Sequence, residues 1–316
     1  MKRTTLSGRS IPPMTLGTAQ LSMEYGIANR SGKPAMDESF RIVRTALESG
    51  ITCFDTAKIY GDSERILGEF MAAEPVLASD ATIVTKIKLS PQAPLAGEEL
   101  RRQVTAEVED CLSRLRMAKL PLLLLHQPED LRGRGEEMAR ILRGLKQDGL
   151  IEAAGVSLDS NSDEQYDVFW PFIRDDLYEA IQIPINLLDQ RLIHNGALRS
   201  FADRGKVVFA RSVFLQGLFF LDDDRLPERI RDAARKPLRM IRELAEQEGM
   251  SIAQLAVSFV RDMPEIGSLV VGAETVEQMR NNAVLMNGPS IGERARSIML
   301  NAFKKVPRQV YVTTMW

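Results

Sequence analysis

Eight short apolar runs, separated by amphipathic stretches of helical period, restrict the fold of this chain more than any single motif does. They are residues 13–19 (PMTLGTA), 51–57 (ITCFDTA), 81–87 (ATIVTKI) and 120–126 (LPLLLLH). Residues 151–157 (IEAAGVS), 179–186 (EAIQIPIN), 206–212 (KVVFARS) and 267–272 (GSLVVG) complete the set. Continuous rather than alternating apolar runs are the pattern of strands buried on both faces, as in a parallel sheet covered by helices. Between them, residues 98–115 place Leu100, Val104, Val108, Leu112 and Leu115 three or four apart, on one helical face. Gly50, Gly149 and Gly205 stand just before the next run, where a left-handed helix cap is expected. Eight βα units without a break in composition predict one α/β domain over residues 1–316, a closed (β/α)8 barrel of the TIM type. A doubly wound dinucleotide fold would need a Gly-rich turn after its first strand, and residues 16–26 (LGTAQLSMEYG) contain no GxGxxG. Residues 4–12 (TTLSGRSIP) read as a short N-terminal hairpin. Residues 213–236 and the tail from Gly288 to Trp316 are too long for plain connections and predict extra helices or lids.

Composition narrows the function classes. A formal charge of −2 without long like-charge runs argues against nucleic-acid or anionic-membrane partners held by electrostatics. No apolar run approaches the roughly 18 residues of a membrane span, and the first residues lack the apolar core of a secretory signal. Cys53 and Cys111 both fall inside apolar patterns and read as buried free thiols, which suits a reducing cytoplasm. One histidine among buried runs cannot build a His-rich zinc site, and neither HExxH nor CxxC is present, so no metal is expected.

In a barrel of this kind the chemistry gathers at the carboxyl ends of the strands. Three consecutive runs end on ionisable groups. The second ends on Asp55, with Tyr60 in the loop after it; the third carries Lys86; the fourth ends on His126. Singly, each has an ordinary structural role, as a turn cap, a packing ring or a solvated amine. Together, on neighbouring strands, they form a device for protonating an oxygen. A tyrosine has a pKa of about 10, and lowering it by two units takes roughly 2.7 kcal/mol. An ammonium about 4 Å away at an effective dielectric of 20 supplies on the order of 4 kcal/mol. Lys86 is placed for that, with Asp55 holding it charged. His126 would orient a carbonyl oxygen or share the proton. No nucleophile accompanies them, so a second molecule must deliver the electrons.

These segments resemble the aldo-keto reductases. GITCFDTAKIYGDSERILG is similar to that family's second-strand signature, and TKIK and LLLLHQP to its lysine and histidine segments. The resemblance runs from about Thr5 to Asn287. It implies a barrel that binds a nicotinamide dinucleotide without a Rossmann motif, NADPH by family habit and NADH as the other possibility. It further implies Tyr60 as general acid, Lys86 and His126 as its tuners, Asp55 as partner of Lys86, and a small carbonyl substrate, sugar-derived by the likeness to a bacterial subgroup. The alternative on the same fold is a non-catalytic cofactor sensor. For the cofactor, the resemblance implies Thr18 along the dinucleotide and Ser157 and Gln182 at the carboxamide, with Leu158 where an Asn is usual. Arg211 stands where an aromatic often stacks on the nicotinamide, and Ser212 and Gln216 lie at the pyrophosphate. Gly272, Glu274, Gln278, Asn281 and Asn282 fall at the adenosine end, with Thr275 as a helix N-cap. Glu274 is repulsive to a 2′-phosphate and attractive to a free 2′-hydroxyl; Arg280 would offset it if it reached the site. Tyr25, Arg30 and Trp316 are candidates for the substrate pocket.

Overall fold

A computed structural model describes residues 3–89 and 96–316. Two short strands, β1 (Thr4–Leu6) and β2 (Arg9–Ile11), form the expected hairpin. Eight parallel strands then close on themselves. These are β3 (Met14–Gly17), β4 (Cys53–Asp55), β5 (Thr82–Ile87), β6 (Leu120–Leu125), β7 (Ile151–Ser157), β8 (Tyr178–Pro184), β9 (Val207–Arg211) and β10 (Ile266–Gly272). Each pairs with the next in sequence, and β10 pairs back to β3. All eight predicted runs are barrel strands, and helices fill the connections. The predicted caps hold too: Gly50, Gly149 and Gly205 have φ of 79°, 76° and 67°.

Strand parity divides the core in two. Cys53, Val84, Leu122, Leu124, Ala153, Ala180 and Phe209 point inward and pack with Leu6 and Ile11 of the hairpin, which thus stoppers the amino-terminal end of the barrel. The opposite parity, such as Phe54, Ile83, Leu123 and Ile181, packs outward against the helices. Leu100, Val104, Val108, Leu112 and Leu115 meet it from the helix Gly97–Leu115, all buried as their spacing predicts. Fully burying one such aliphatic side chain stabilises by about 1.5–3 kcal/mol, so this outer layer is the main source of cohesion. Gly155 shows how close the strands come: a Cβ there would lie 2.2 Å from the Ala180 carbonyl oxygen.

The two long segments are largely helical. Residues 213–236 form tight 3-10 turns, Leu215–Phe220 and Asp223–Arg225, and then enter the helix Arg231–Gln247. The tail contributes the helices Glu293–Ala302 and Arg308–Tyr311. It is tied to the outside of the barrel by Arg308, which bonds Asn161 and pairs with Glu164, and by Gln190, which donates to the Met299 carbonyl. No helix among the described residues is long and apolar enough to cross a membrane.

Candidate active site

Moving two residues along an inward-facing strand keeps the parity and climbs to the carboxyl end. Cys53 leads to Asp55, Val84 to Lys86, Leu124 to His126, Ala180 to Gln182 and Phe209 to Arg211. The apolar inner core therefore gives way, within one layer, to a polar floor. Its centre is Lys86, whose Nζ donates to both Asp55 carboxylate oxygens at 2.8 Å and to the Thr56 carbonyl at 2.9 Å. Both residues are buried. Gln182 adds a third hydrogen bond to the Asp55 carboxylate, Nε2 to Oδ1 at 2.7 Å. Burial is the largest single influence and works against the Lys86 charge, but Asp55 and Tyr60 together more than offset it, and the pKa lies above the ordinary lysine value.

Tyr60 hangs over this pair from the loop after β4. Its ring centroid is 5.0 Å from Lys86 Nζ. The loop is pinned: Tyr60 N–H donates to Ala57, and the Tyr60 carbonyl accepts from Ser63 N–H and from the Ser22 hydroxyl. His126 stands edge-on to Tyr60 with centroids 5.9 Å apart. Its Nδ1 is buried and has no partner. Burial, then the charges of Lys86 and Arg211, push its pKa down to about 3, so it is a neutral ring that can donate one hydrogen bond. Orienting an oxygen fits it and sharing a proton does not. One expectation is overturned here. Lys86 does pull the Tyr60 pKa down, but burial of the phenol is the larger effect and the net direction is up.

A cleft of about 650 Å³ opens beside Tyr60 and runs across the ends of β9, β10 and β3. Thr18, Asp55, Tyr60, Arg211, Ser212, Gln216, Gly272, Glu274, Gln278, Asn281 and Asn282 all line it, as does Tyr25. Ser157 and Gln182 are buried in the floor outside this lining. Several roles narrow on inspection. The Thr18 hydroxyl donates to the Asp55 carbonyl at 2.8 Å and also bonds Ser63, so Thr18 braces the β3–β4 corner. Asn282 Nδ2 donates to the Gly272 carbonyl at 3.0 Å, leaving its oxygen. Thr275 is the N-cap, accepting from Gln278 N–H at 3.1 Å. Glu274 is half-buried and accepts from the Ser31 hydroxyl at 3.0 Å, so it faces the cleft wall rather than open solvent. Arg280 is exposed on the opposite side of that helix, beside Arg41 and Arg44, and cannot offset Glu274. Arg30 and Trp316 do not line the cleft; the Trp316 indole donates to the Gln309 carbonyl instead.

The family model of the aldo/keto reductases matches residues 13–290. The chain belongs to this family. Among its relatives, a 6-dehydroglucose reductase of Novosphingobium aromaticivorans is 31% identical over 159 residues, 48% of this chain and 49% of that protein. An L-glyceraldehyde 3-phosphate reductase of Escherichia coli O157:H7 is 25% identical over 312 residues, covering 89% of this chain and 86% of that enzyme. The solved glycerol dehydrogenase of Gluconobacter oxydans superposes with a TM-score of 0.72 and 26% identity over 95% of this chain and 93% of that one. Membership makes carbonyl–alcohol redox chemistry the broad activity of this aldo/keto reductase.

Sequence reasoning missed part of the wall. The loop 23–33 after β3 crosses to the β9 loop, where Ile27 N–H donates to the Gln216 carbonyl at 3.0 Å. Ser212, Leu215 and Gln216 all hold positive φ, of 62°, 46° and 54°, to make that meeting. At Gly217, φ is 90° and an added Cβ would lie 2.4 Å from Ala28 Cβ, so the glycine is required. Phe214 and Phe220, 5.4 Å apart, also line the cleft. The Gly at 217 and the aromatic pair were readable; their contact with a loop nearly two hundred residues away was not.

Proposed function

We propose that this protein reduces a small aldehyde or ketone to the alcohol at the expense of a reduced nicotinamide dinucleotide. The observation that carries the reading is the buried Asp55–Lys86 pair directly beneath Tyr60, with a neutral His126 alongside. When bound in the cleft, the dinucleotide supplies the hydride. The chain's residues do the rest. Tyr60 donates its proton to the carbonyl oxygen as negative charge develops there. Lys86, fixed by Asp55, stabilises the resulting tyrosinate through space. His126 holds the oxygen by one N–H.

The residues fit such a cofactor. The cleft is lined by Tyr60, by Ser212 and Gln216 of the loop after β9, and by the amide side chains of Gln278, Asn281 and Asn282. Ser157, Gln182 and Arg211 stand at the end that would receive the nicotinamide. Arg211 is the one lysine or arginine among the described residues lining the cleft, and Glu274 supplies a negative charge at the far end. This favours a free 2′-hydroxyl over a 2′-phosphate, so NADH rather than the family's habitual NADPH is our reading. The names of the relatives support a polyhydroxylated substrate of sugar size.

The test follows nicotinamide absorbance with 4-nitrobenzaldehyde, NADH and NADPH side by side, for wild type and Tyr60→Phe. Turnover in wild type, and a loss of about 10²- to 10⁴-fold in the variant with cofactor affinity kept, is expected. Tight cofactor binding without turnover of any aldehyde would leave a binding protein, and binding of neither cofactor would refute the reading.

A further inference from the structure

Four buried polar side chains from four strands form one chain beneath Tyr60. Ser157 ends β7, Gln182 lies on β8, Asp55 ends β4 and Lys86 lies on β5. The Ser157 hydroxyl stands 3.5 Å from Gln182 Oε1, and Gln182 Nε2 donates to Asp55 Oδ1 at 2.7 Å. Lys86 Nζ donates to both Asp55 oxygens at 2.8 Å. Chemistry fixes which way the amide is turned. An ionised carboxylate only accepts, so the nitrogen of Gln182 and not its oxygen faces Asp55. One amide N–H is thereby committed across the barrel mouth, where a side chain serving the cofactor alone would keep both for it.

The bond has an electrostatic consequence. Tyr60 is faced by Lys86 on β5, Asp55 on β4, Arg211 on β9 and Tyr25 in the loop after β3, with the neutral His126 ring edge-on. Burial opposes a tyrosinate most; Lys86 and Arg211 favour it, while Asp55 and Tyr25 oppose it. Asp55 therefore acts in two contrary ways. It holds Lys86 in place, and its own charge works against the tyrosinate that Lys86 stabilises. A neutral donor on Oδ1 draws on that negative charge and weakens the second effect. The first stays intact, because both oxygens still accept from Lys86.

We propose that Gln182 is a positioning residue for the proton transfer: by donating to Asp55 it aims the carboxylate at Lys86 and eases proton release from Tyr60. This rests on the reductase reading above and deepens it. It is separate from any contact of the Gln182 oxygen with a nicotinamide carboxamide, because the two use different ends of the amide.

The test follows Gln182→Met, which keeps the length of the side chain and removes the donor. At saturating NADH, where cofactor affinity no longer enters, kcat for 4-nitrobenzaldehyde falls about tenfold. A second readout needs no turnover. The Tyr60 titration, followed by ¹³C NMR of Cζ-labelled tyrosine and assigned with Tyr60→Phe, moves up by about half to one pH unit. Ser157→Ala, at the same end of the cleft but without a bond to Asp55, weakens NADH and leaves the Tyr60 midpoint in place. Gln182→Asn keeps an amide but stops one methylene short of Asp55. It moves both readouts in the direction of Gln182→Met, and it serves where the methionine variant does not fold. An unchanged Tyr60 midpoint, with the loss confined to NADH affinity, overturns the proposal and leaves Gln182 a cofactor residue only. An unchanged kcat at saturating NADH overturns it as well. Absence of turnover and of NADH binding in wild type refutes the reductase reading, and the Tyr60 titration still decides whether Gln182 acts through Asp55.

Discussion

The floor of the barrel mouth and the rim at its far side are built on opposite terms. In the floor, Asp55, Lys86 and Gln182 are buried and satisfy one another through bonds of 2.7–2.8 Å, each on a different strand. At the rim, Glu274, Gln278 and Asn281 sit on one loop and one helix, half-buried or exposed, and the Glu274 carboxylate accepts from Ser31 at 3.0 Å and from Gln278 at 3.5 Å. A buried constellation is over-determined: remove one member and a charge is stranded in a low dielectric. An exposed one is tuned by screened interactions worth under about 1 kcal/mol each. The floor should therefore respond to substitution through both stability and rate, and the rim through cofactor choice alone.

The sharpest break of that contrast comes from Asp55→Asn. It leaves Lys86 with no counter-ion and should cost about 3–5 kcal/mol in denaturant unfolding, along with most of the activity. The double variant Asp55→Leu/Lys86→Met replaces the whole pair with apolar groups. It should recover much of that stability and none of the turnover. Recovery of both would mean that the pair is not part of the chemistry.

Next in size, Gly155→Ala sets a methyl group 2.2 Å from the Ala180 carbonyl and 2.6 Å from the Leu124 side chain. Overpacking of this kind costs about 1–3 kcal/mol, read as a lower unfolding midpoint. A midpoint equal to wild type would show the floor to be more pliant than its packing suggests.

The pH profile separates the two ionisable rings of the floor. His126 is already neutral above about pH 3, so kcat/KM for reduction should show no acid limb near pH 6.5. Tyr60 acts as its protonated form, and its pKa is raised. Activity should hold across neutral pH and fall only as pH climbs past the ordinary tyrosine value. The sign for stability is opposite for the histidine. Its folded pKa is depressed, so the unfolded chain binds the extra proton below about pH 6.5 and stability drops as pH falls. A titration of His126 near pH 6.5 by NMR would contradict this.

The smallest effect belongs to the rim. Glu274→Gln should improve NADPH relative to NADH by about three- to tenfold in Kd, less at high salt, with unfolding unchanged. A change in stability as large as that of Asp55→Asn would erase the distinction between the two regions.

Much of the floor could be read in advance because strand parity is a local property. The runs that end in Asp55, Lys86 and His126 carry both the burial and the direction of those side chains. The same parity marks Arg211, and nothing local shows that its guanidinium bonds the Leu158 carbonyl from across β8. The rim was less legible: Thr275 declared its cap, but the facing of Arg280 away from the cleft depends on how its helix packs against residues 36–48.

By itself the sequence determined the barrel, its eight strands, the hairpin and the residues that crown the inner layer, because periodicity and burial follow from chain-local sterics and the hydrophobic effect. Only the tertiary structure decided the net upward shift of Tyr60, the neutrality of His126, the bracing role of Thr18 and the bonds that fix Arg211 to Leu158 and Ser212. Each is a balance between desolvation and partners brought from distant strands, and that balance exists only once the barrel has closed.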